Sequence, residues 1–245
     1  LPNGKCCLPR HENVPALGLI TAGINLNMNE KNIEAIIIAL EKSTRRYKLP
    51  VAELTKKWQR DPFKILVTVM MSSRTKDDIT ASAAERLFSK AKTWKEIKKM
   101  PLAEIEETIR PVNFYKTKSL RIKEIAFKLE ENLSGKVPNT IEGLTTLPGV
   151  GIKTANLVLN IAFGQDCIGV DTHVHQILNR LGYVNTKSPD ETELELRRKL
   201  PKKYWRKINV ILVLFGQNIC VSVSPFCSKC PVNEYCPKTG VKKSR

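Results

Sequence analysis

Lys153 and Asp171 flank a single apolar run, and together they could attack an electrophilic carbon. Lys153 follows the string Leu147-Pro148-Gly149-Val150-Gly151-Ile152, and Asp171 opens the string Asp171-Thr172-His173. A lysine in the first turn of a helix meets the positive end of the helix dipole, which disfavours its charge and can lower its pKa. A partly neutral amine is a nucleophile and forms Schiff bases with carbonyl carbons. The helix and loop between the two residues are long enough to bring Asp171 back beside Lys153. Each residue also has a plainer account, Lys153 as a phosphate-binding or solvent lysine and Asp171 as a helix cap, which prevails for either residue alone.

The hairpin before Lys153 suits a phosphate. Gly149 and Gly151 let the backbone approach closely, and the amides opening the next helix, with that of Val150 in the turn, face an anion with the dipole behind them. Such contacts hold nucleic acid without reading its sequence. An ordinary tight turn has the same residues, and on the hairpin alone the two readings are even. Charge tilts the balance: Lys and Arg outnumber Asp and Glu by 41 to 24, giving +17 and a pI near 9.7. That excess favours a polyanionic partner and fits a ribosomal or chromatin protein equally well.

A second chemistry lies near the C-terminus, where Cys220, Cys227, Cys230 and Cys236 offer four thiolates in one loop. Zinc and a [4Fe-4S] cluster both accept four cysteines. Zinc ribbons pair two closely spaced knuckles, whereas only Cys227 and Cys230 are close here, so the spacing leans to iron and sulfur. Disulfides are a third option, but seven cysteines unevenly spaced suit a metal site in a reducing compartment better than a secreted framework. Cys167 reads as a packed small residue, and Cys6 and Cys7 carry little weight.

The elements that must position these groups read as helices throughout, with no convincing strand alternation and no repeat. After a cap at Asn29, Ile33, Ile36, Ile37 and Leu40 mark one apolar face. Pro50 is expected to close the segment that follows. Asp61-Pro62 caps a buried helix over Phe63 to Met71, and helices follow over about 76–90, 94–100, 101–109 and 117–133. Thr140 caps a short helix before the hairpin, 153–163 is the helix leaving it, and Asp171 caps the next. Ser188-Pro189-Asp190-Glu191 has capping-box spacing, and one long helix over about 202–219 leads to the cysteines. The apolar share of 42% argues against general disorder, and no uninterrupted apolar stretch is long enough to span a membrane. Residues 1–27 are expected to be a disordered or non-native extension.

With hairpin, lysine, aspartate and four-cysteine loop in this order, the sequence resembles the endonuclease III family of DNA glycosylases in the helix-hairpin-helix superfamily. The resemblance runs over about residues 30–238 and rests on LPGVGIKTANLVLN, GVDTHVHQILNRLG and C-x6-C-x2-C-x5-C. It implies an all-α fold of two domains: a six-helix barrel over 55–165, its helix-hairpin-helix at about 140–163, and a discontinuous [4Fe-4S] domain from 28–54 with 166–238. A basic tail, 239–245, follows. It also implies that Lys153 is the nucleophile, Asp171 the catalytic carboxylate, and the four cysteines ligands of one [4Fe-4S] cluster.

The function so implied is removal of oxidised pyrimidines from double-stranded DNA, and cleavage at abasic sites, by an intracellular monomer. The compartment would be cytoplasm or nucleoid in a prokaryote, nucleus or mitochondrion in a eukaryote. Lys153, and the lack of any acid between Asp61 and Asp77, favour this branch over monofunctional mismatch glycosylases, whose members carry a glutamate in the corresponding helix. The 8-oxoguanine branch ordinarily lacks the cysteine loop. A non-catalytic DNA-binding protein with structural zinc is the alternative outside enzymes. Arg74 stands where many relatives have a glutamine that fills the gap left by a flipped base, and its charge can alter preference for the opposite base. Phe114 matches a position of apolar wedges, though a core aromatic flanking a helix is an equal account without the family. His173 matches a family histidine that contacts DNA, and His175 is expected at the surface.

Overall fold

The computed structural model describes residues 30–59 and 61–245; the extension 1–27, Cys6, Cys7 and the Asn29 cap lie outside the described residues. Among these, the chain forms helices and no strand. The α-helices are α1 (Glu30–Thr44), α2 (Pro50–Lys57), α3 (Pro62–Ser72), α4 (Asp77–Lys90), α5 (Trp94–Lys99), α6 (Leu102–Ile109), α7 (Tyr115–Asn132), α8 (Ile141–Thr145), α9 (Ile152–Phe163), α10 (Thr172–Arg180), α11 (Pro189–Lys199) and α12 (Ile208–Asn218). No described helix is long and apolar enough to cross a membrane.

Local chemistry sets most boundaries. Asp61 accepts hydrogen bonds from the N–H groups of Phe63 and Lys64 at 3.0 and 3.1 Å, with Pro62 in the first turn where no N–H is needed. Thr140 accepts from Gly143 N–H at 3.1 Å and Ser188 from Glu191 N–H at 3.2 Å. The expected inward faces are buried, including Ile33, Ile36, Ile37 and Leu40 on α1 and Val174, Ile177 and Leu178 on α10.

Two expectations need correction. Pro50 does not close a segment but opens α2, because the Asp77 carboxylate, from a different helix, accepts the Val51 N–H at 2.9 Å and supplies the cap that Leu49 cannot. The long helix over 202–219 is broken: Lys202–Tyr204 forms a 3₁₀ turn and α12 starts at Ile208. The Arg206 carbonyl is drawn out of the helical ladder by the Asn160 side-chain amide, 3.2 Å away.

The apolar side chains gather into two large clusters. One unites residues of α2 to α9 with Cys167; the other unites α1, Ile168, Val170, α10, α11, α12 and Val232. Leu49, Val213 and Leu214 form a small patch on their own, so α12 reaches the start of α2. In the first cluster α3 packs along α9, which places the end of α3 beside the hairpin.

Asp61→Ala, which orphans two amide donors at the start of α3, is expected to lower unfolding free energy by about 1 kcal/mol in urea denaturation. An unchanged midpoint would show that the cap contributes nothing.

Candidate functional site

The hairpin between α8 and α9 is built by one constrained glycine and one open one. Gly149 has φ +76°, and a Cβ there would lie 2.5 Å from Arg121 Cδ. Gly151 has ordinary φ, and a Cβ would meet nothing within 4 Å, so space is open over the start of α9. Val150 turns inward: its side chain is buried, and its N–H donates to the Leu147 carbonyl at 3.1 Å. The exposed residues of the hairpin are therefore Gly149, Gly151, Ile152 and Lys153. No side chain among the described residues caps α9, so its first-turn amides stay available to an anion.

Lys153 and Asp171 line the same open cleft, with Arg74, Asp77, Asn113, His173 and Gln217 among its other walls. Lys153 is exposed and has no hydrogen-bond or ion-pair partner among the described residues. Asp171 is the cap of α10, accepting the Val174 N–H on Oδ1 at 2.9 Å. Capping and a place in the cleft are thus compatible, since the second carboxylate oxygen is not used by the cap. Burial raises the Asp77 carboxyl above the usual range, against the Val51 N–H that it accepts.

Side chains not foreseen from the sequence fix this geometry. Asn160 on α9 donates to the Cys167 carbonyl at 3.0 Å as well as to Arg206, and Asn209 on α12 donates to the Gly169 carbonyl at 2.9 Å. These bonds fasten the loop that delivers Asp171. Asn156 donates to Glu193 of α11 at 3.4 Å. Asn156 and Asn160, one turn apart on the mostly apolar run that follows Thr154, were the available signal. His173 packs where a Cβ on Gly216 would lie 2.3 Å from its Nδ1, so α12 needs a glycine there. His175 corrects the expectation of a surface residue: half-buried, its Nδ1 pairs with Thr192 Oγ1 at 2.7 Å.

Arg74 and Phe114 meet at the rim. Both have positive φ, 55° and 58°, rare for residues with side chains. Phe114 is 61% exposed, which rules out the core-aromatic account, and the Arg74 guanidinium lies 6.0 Å from its ring centre. Nearby Lys118 is buried, and burial pushes its ammonium down to about 8.

The four C-terminal cysteines line one narrow pocket, walled by Leu181, Phe215, Ile219 and Val232. No three His, Cys, Asp or Glu side chains among the described residues converge as ligands of a single ion would. Burial raises the thiols of Cys220, Cys230 and Cys236, and repulsion by neighbouring cysteines adds to each, Cys230 reaching about 11. Arg180, at the end of α10, donates to Cys220 Sγ at 3.4 Å and to the carbonyls of Val221 and Ser222 at 2.9 and 2.7 Å.

Residues 67–202 match the family model of the HhH-GPD superfamily base excision DNA repair proteins. The chain is 40% identical to endonuclease III of Thermotoga maritima over 75% of its own length and 89% of that protein's. It is 43% identical to the chloroplastic endonuclease III homolog 2 of Arabidopsis thaliana over 71% of its length, spanning 48% of that longer protein. Among solved structures it resembles a trapped endonuclease III–DNA covalent intermediate, with a TM-score of 0.77, 31% identity, and coverage of 86% of this chain and 97% of that one. By sequence and by fold, the chain belongs to the endonuclease III family of helix-hairpin-helix base excision DNA repair proteins.

Proposed function

We propose that the protein is a bifunctional DNA glycosylase and abasic-site lyase acting on oxidised pyrimidines in duplex DNA. The observation that carries this reading is the shared cleft, lined both by a lysine at a helix start with no partner among the described residues and by an aspartate fixed by its own helix. Flipping a damaged, poorly stacked base costs less than the few kcal/mol a sound pair demands. The amides of Gly151, Ile152 and Lys153 hold the flanking phosphate. Asp171 assists loss of the lysine proton and stabilises positive charge growing on the sugar as the glycosidic bond stretches. Lys153 Nζ bonds to C1′ and the base leaves with the glycosidic electron pair. Ring opening then gives a Schiff base. That imine acidifies the C2′ proton, and its removal breaks the C3′–O3′ bond, cutting the strand 3′ to the lesion.

His173 at the cleft wall, and Arg74 with Phe114 at the rim, complete the DNA contacts in this reading. The domain division in this reading is a barrel over 55–165 and a discontinuous unit from 28–54 with 166–238; the two apolar clusters support it, except that Val51 and Leu54 of α2 and Cys167 pack with the barrel.

Cys220, Cys227, Cys230 and Cys236 fit a [4Fe-4S] group. Four thiols line one partly open, largely apolar pocket, and burial raises three of them in a way that a cationic centre between them would relieve. Such a group, when bound, supplies cross-links that pin the loop against α10, and none of the steps above runs through it.

Borohydride reduction with a duplex containing thymine glycol is expected to link wild-type protein covalently to DNA, and Lys153→Ala to abolish the linkage. Wild-type protein that excises base without trapping would be a monofunctional glycosylase, and one that does neither would be a DNA-binding protein only. Purified under anaerobic conditions, the protein should be yellow-brown with iron and sulfide at four per chain; a colourless zinc protein would refute the cluster. Gly151→Ala is expected to keep stability within about 0.5 kcal/mol and to weaken binding of an abasic-analogue duplex roughly tenfold. Gly149→Ala should instead lower stability by about 1–2 kcal/mol, because its positive φ strains a side chain and the added Cβ would crowd Arg121. Equal effects of the two would contradict the division of roles between them.

A further inference from the structure

We propose that Lys118 is a positioning residue, whose ammonium clamps the loop after α3 so that Arg74 and Phe114 are presented side by side to the gap left by a flipped base. The proposal rests on the base-excision reading and assigns a part in it to a side chain that touches neither sugar nor phosphate. Lys118 is 7% exposed, which removes it from phosphate contact. Its Nζ donates to the carbonyls of Met71 at 2.7 Å and Ser73 at 2.6 Å, and to Thr75 Oγ1 at 3.1 Å. Three protons meet three acceptors, and those acceptors lie on both sides of Arg74. The end of α3 leaves carbonyls unsatisfied and attracts a cation, and a compact ammonium fits this tripod where a planar guanidinium would not.

The clamp reaches Phe114 through the backbone. Phe114 is the cap of α7, and its carbonyl accepts the Lys118 N–H at 3.0 Å, so clamp and aromatic share the first turn of one helix. Asn113 closes the other side, its N–H donating to Thr75 Oγ1 at 3.2 Å and its side-chain amide to the Arg74 carbonyl. Arg74 and Phe114 both hold left-handed backbones, which persist only where the surroundings over-determine them. Around these two residues, that surrounding is Lys118, Thr75 and Asn113.

The test uses a duplex with thymine glycol and 2-aminopurine opposite it, whose fluorescence reports filling of the opened gap. In Lys118→Met the fluorescence change should be lost and single-turnover excision should fall roughly ten- to hundredfold. Borohydride trapping on a single-stranded abasic oligonucleotide, with no opposite strand to open, should stay within about twofold of wild type. Thr75→Ala, which removes one acceptor at a half-buried position, should show the same split at smaller size, and it decides the matter if Lys118→Met does not fold. Excision and fluorescence within about twofold of wild type in both variants overturns the proposal. A parallel loss of single-strand trapping in a folded variant overturns it too, since Lys118 would then serve the chemistry. Failure of the wild type to trap overturns instead the lyase reading beneath it.

Discussion

The burial of α9 is the constraint on which the rest depends. Ala155, Val158, Leu159 and Ala162 are buried, so the helix must be enclosed, and α3 packs along it. Only its first turn escapes into the open, and there it begins without a side-chain cap. Unsatisfied amides and a lysine are therefore held at the surface by a rod that cannot move without opening the core. Burying apolar area contributes roughly 25 cal/mol per Å². That same packing energy makes the N-terminal turn of α9 a fixed reference for the cleft.

Polar side chains then register the second half of the site against this rod. Asn160 grips the loop after α9 at the Cys167 carbonyl, and Asn209 grips it from α12 at the Gly169 carbonyl. Buried polar groups left unmet cost about 1–3 kcal/mol each, so these bonds specify one loop path rather than merely favouring it. Asp171 emerges from that loop already committed to its cap. The two sides of the cleft are thus set by different physics, apolar packing for the lysine and hydrogen bonding for the carboxylate.

Much of this was legible in the sequence because it is local. Caps at Asp61, Thr140, Asp171 and Ser188 act within three residues, and apolar periodicity marks the inward faces of α1 and α10. What escaped is what depends on distant partners. Pro50 starts a helix only because Asp77 lies nearby in space, and α12 is cut short by an asparagine 46 positions away from the carbonyl it binds. Lys118 sits in a helix rich in lysine and glutamate and looks like any solvated residue until the end of α3 is brought over it. His175 was misplaced for the same reason, its partner Thr192 lying on another helix. The strings around Lys153 and the cysteine loop carried the family reading with few such long-range facts.

Helix α10 carries Asp171 at its start and Arg180 at its end, and both ends are tied, one to the cleft and the other to the cysteine loop. Such an element acts as a gauge of fixed length and phase. An α-helix advances about 1.5 Å and turns about 100° with each residue. A single inserted or deleted residue in α10 would swing the carboxylate out of the cleft if the cysteine loop kept hold, or drag that loop off its cavity if the carboxylate stayed. The number of residues between Asp171 and Arg180 therefore fixes the geometry of both ends as much as their identities do.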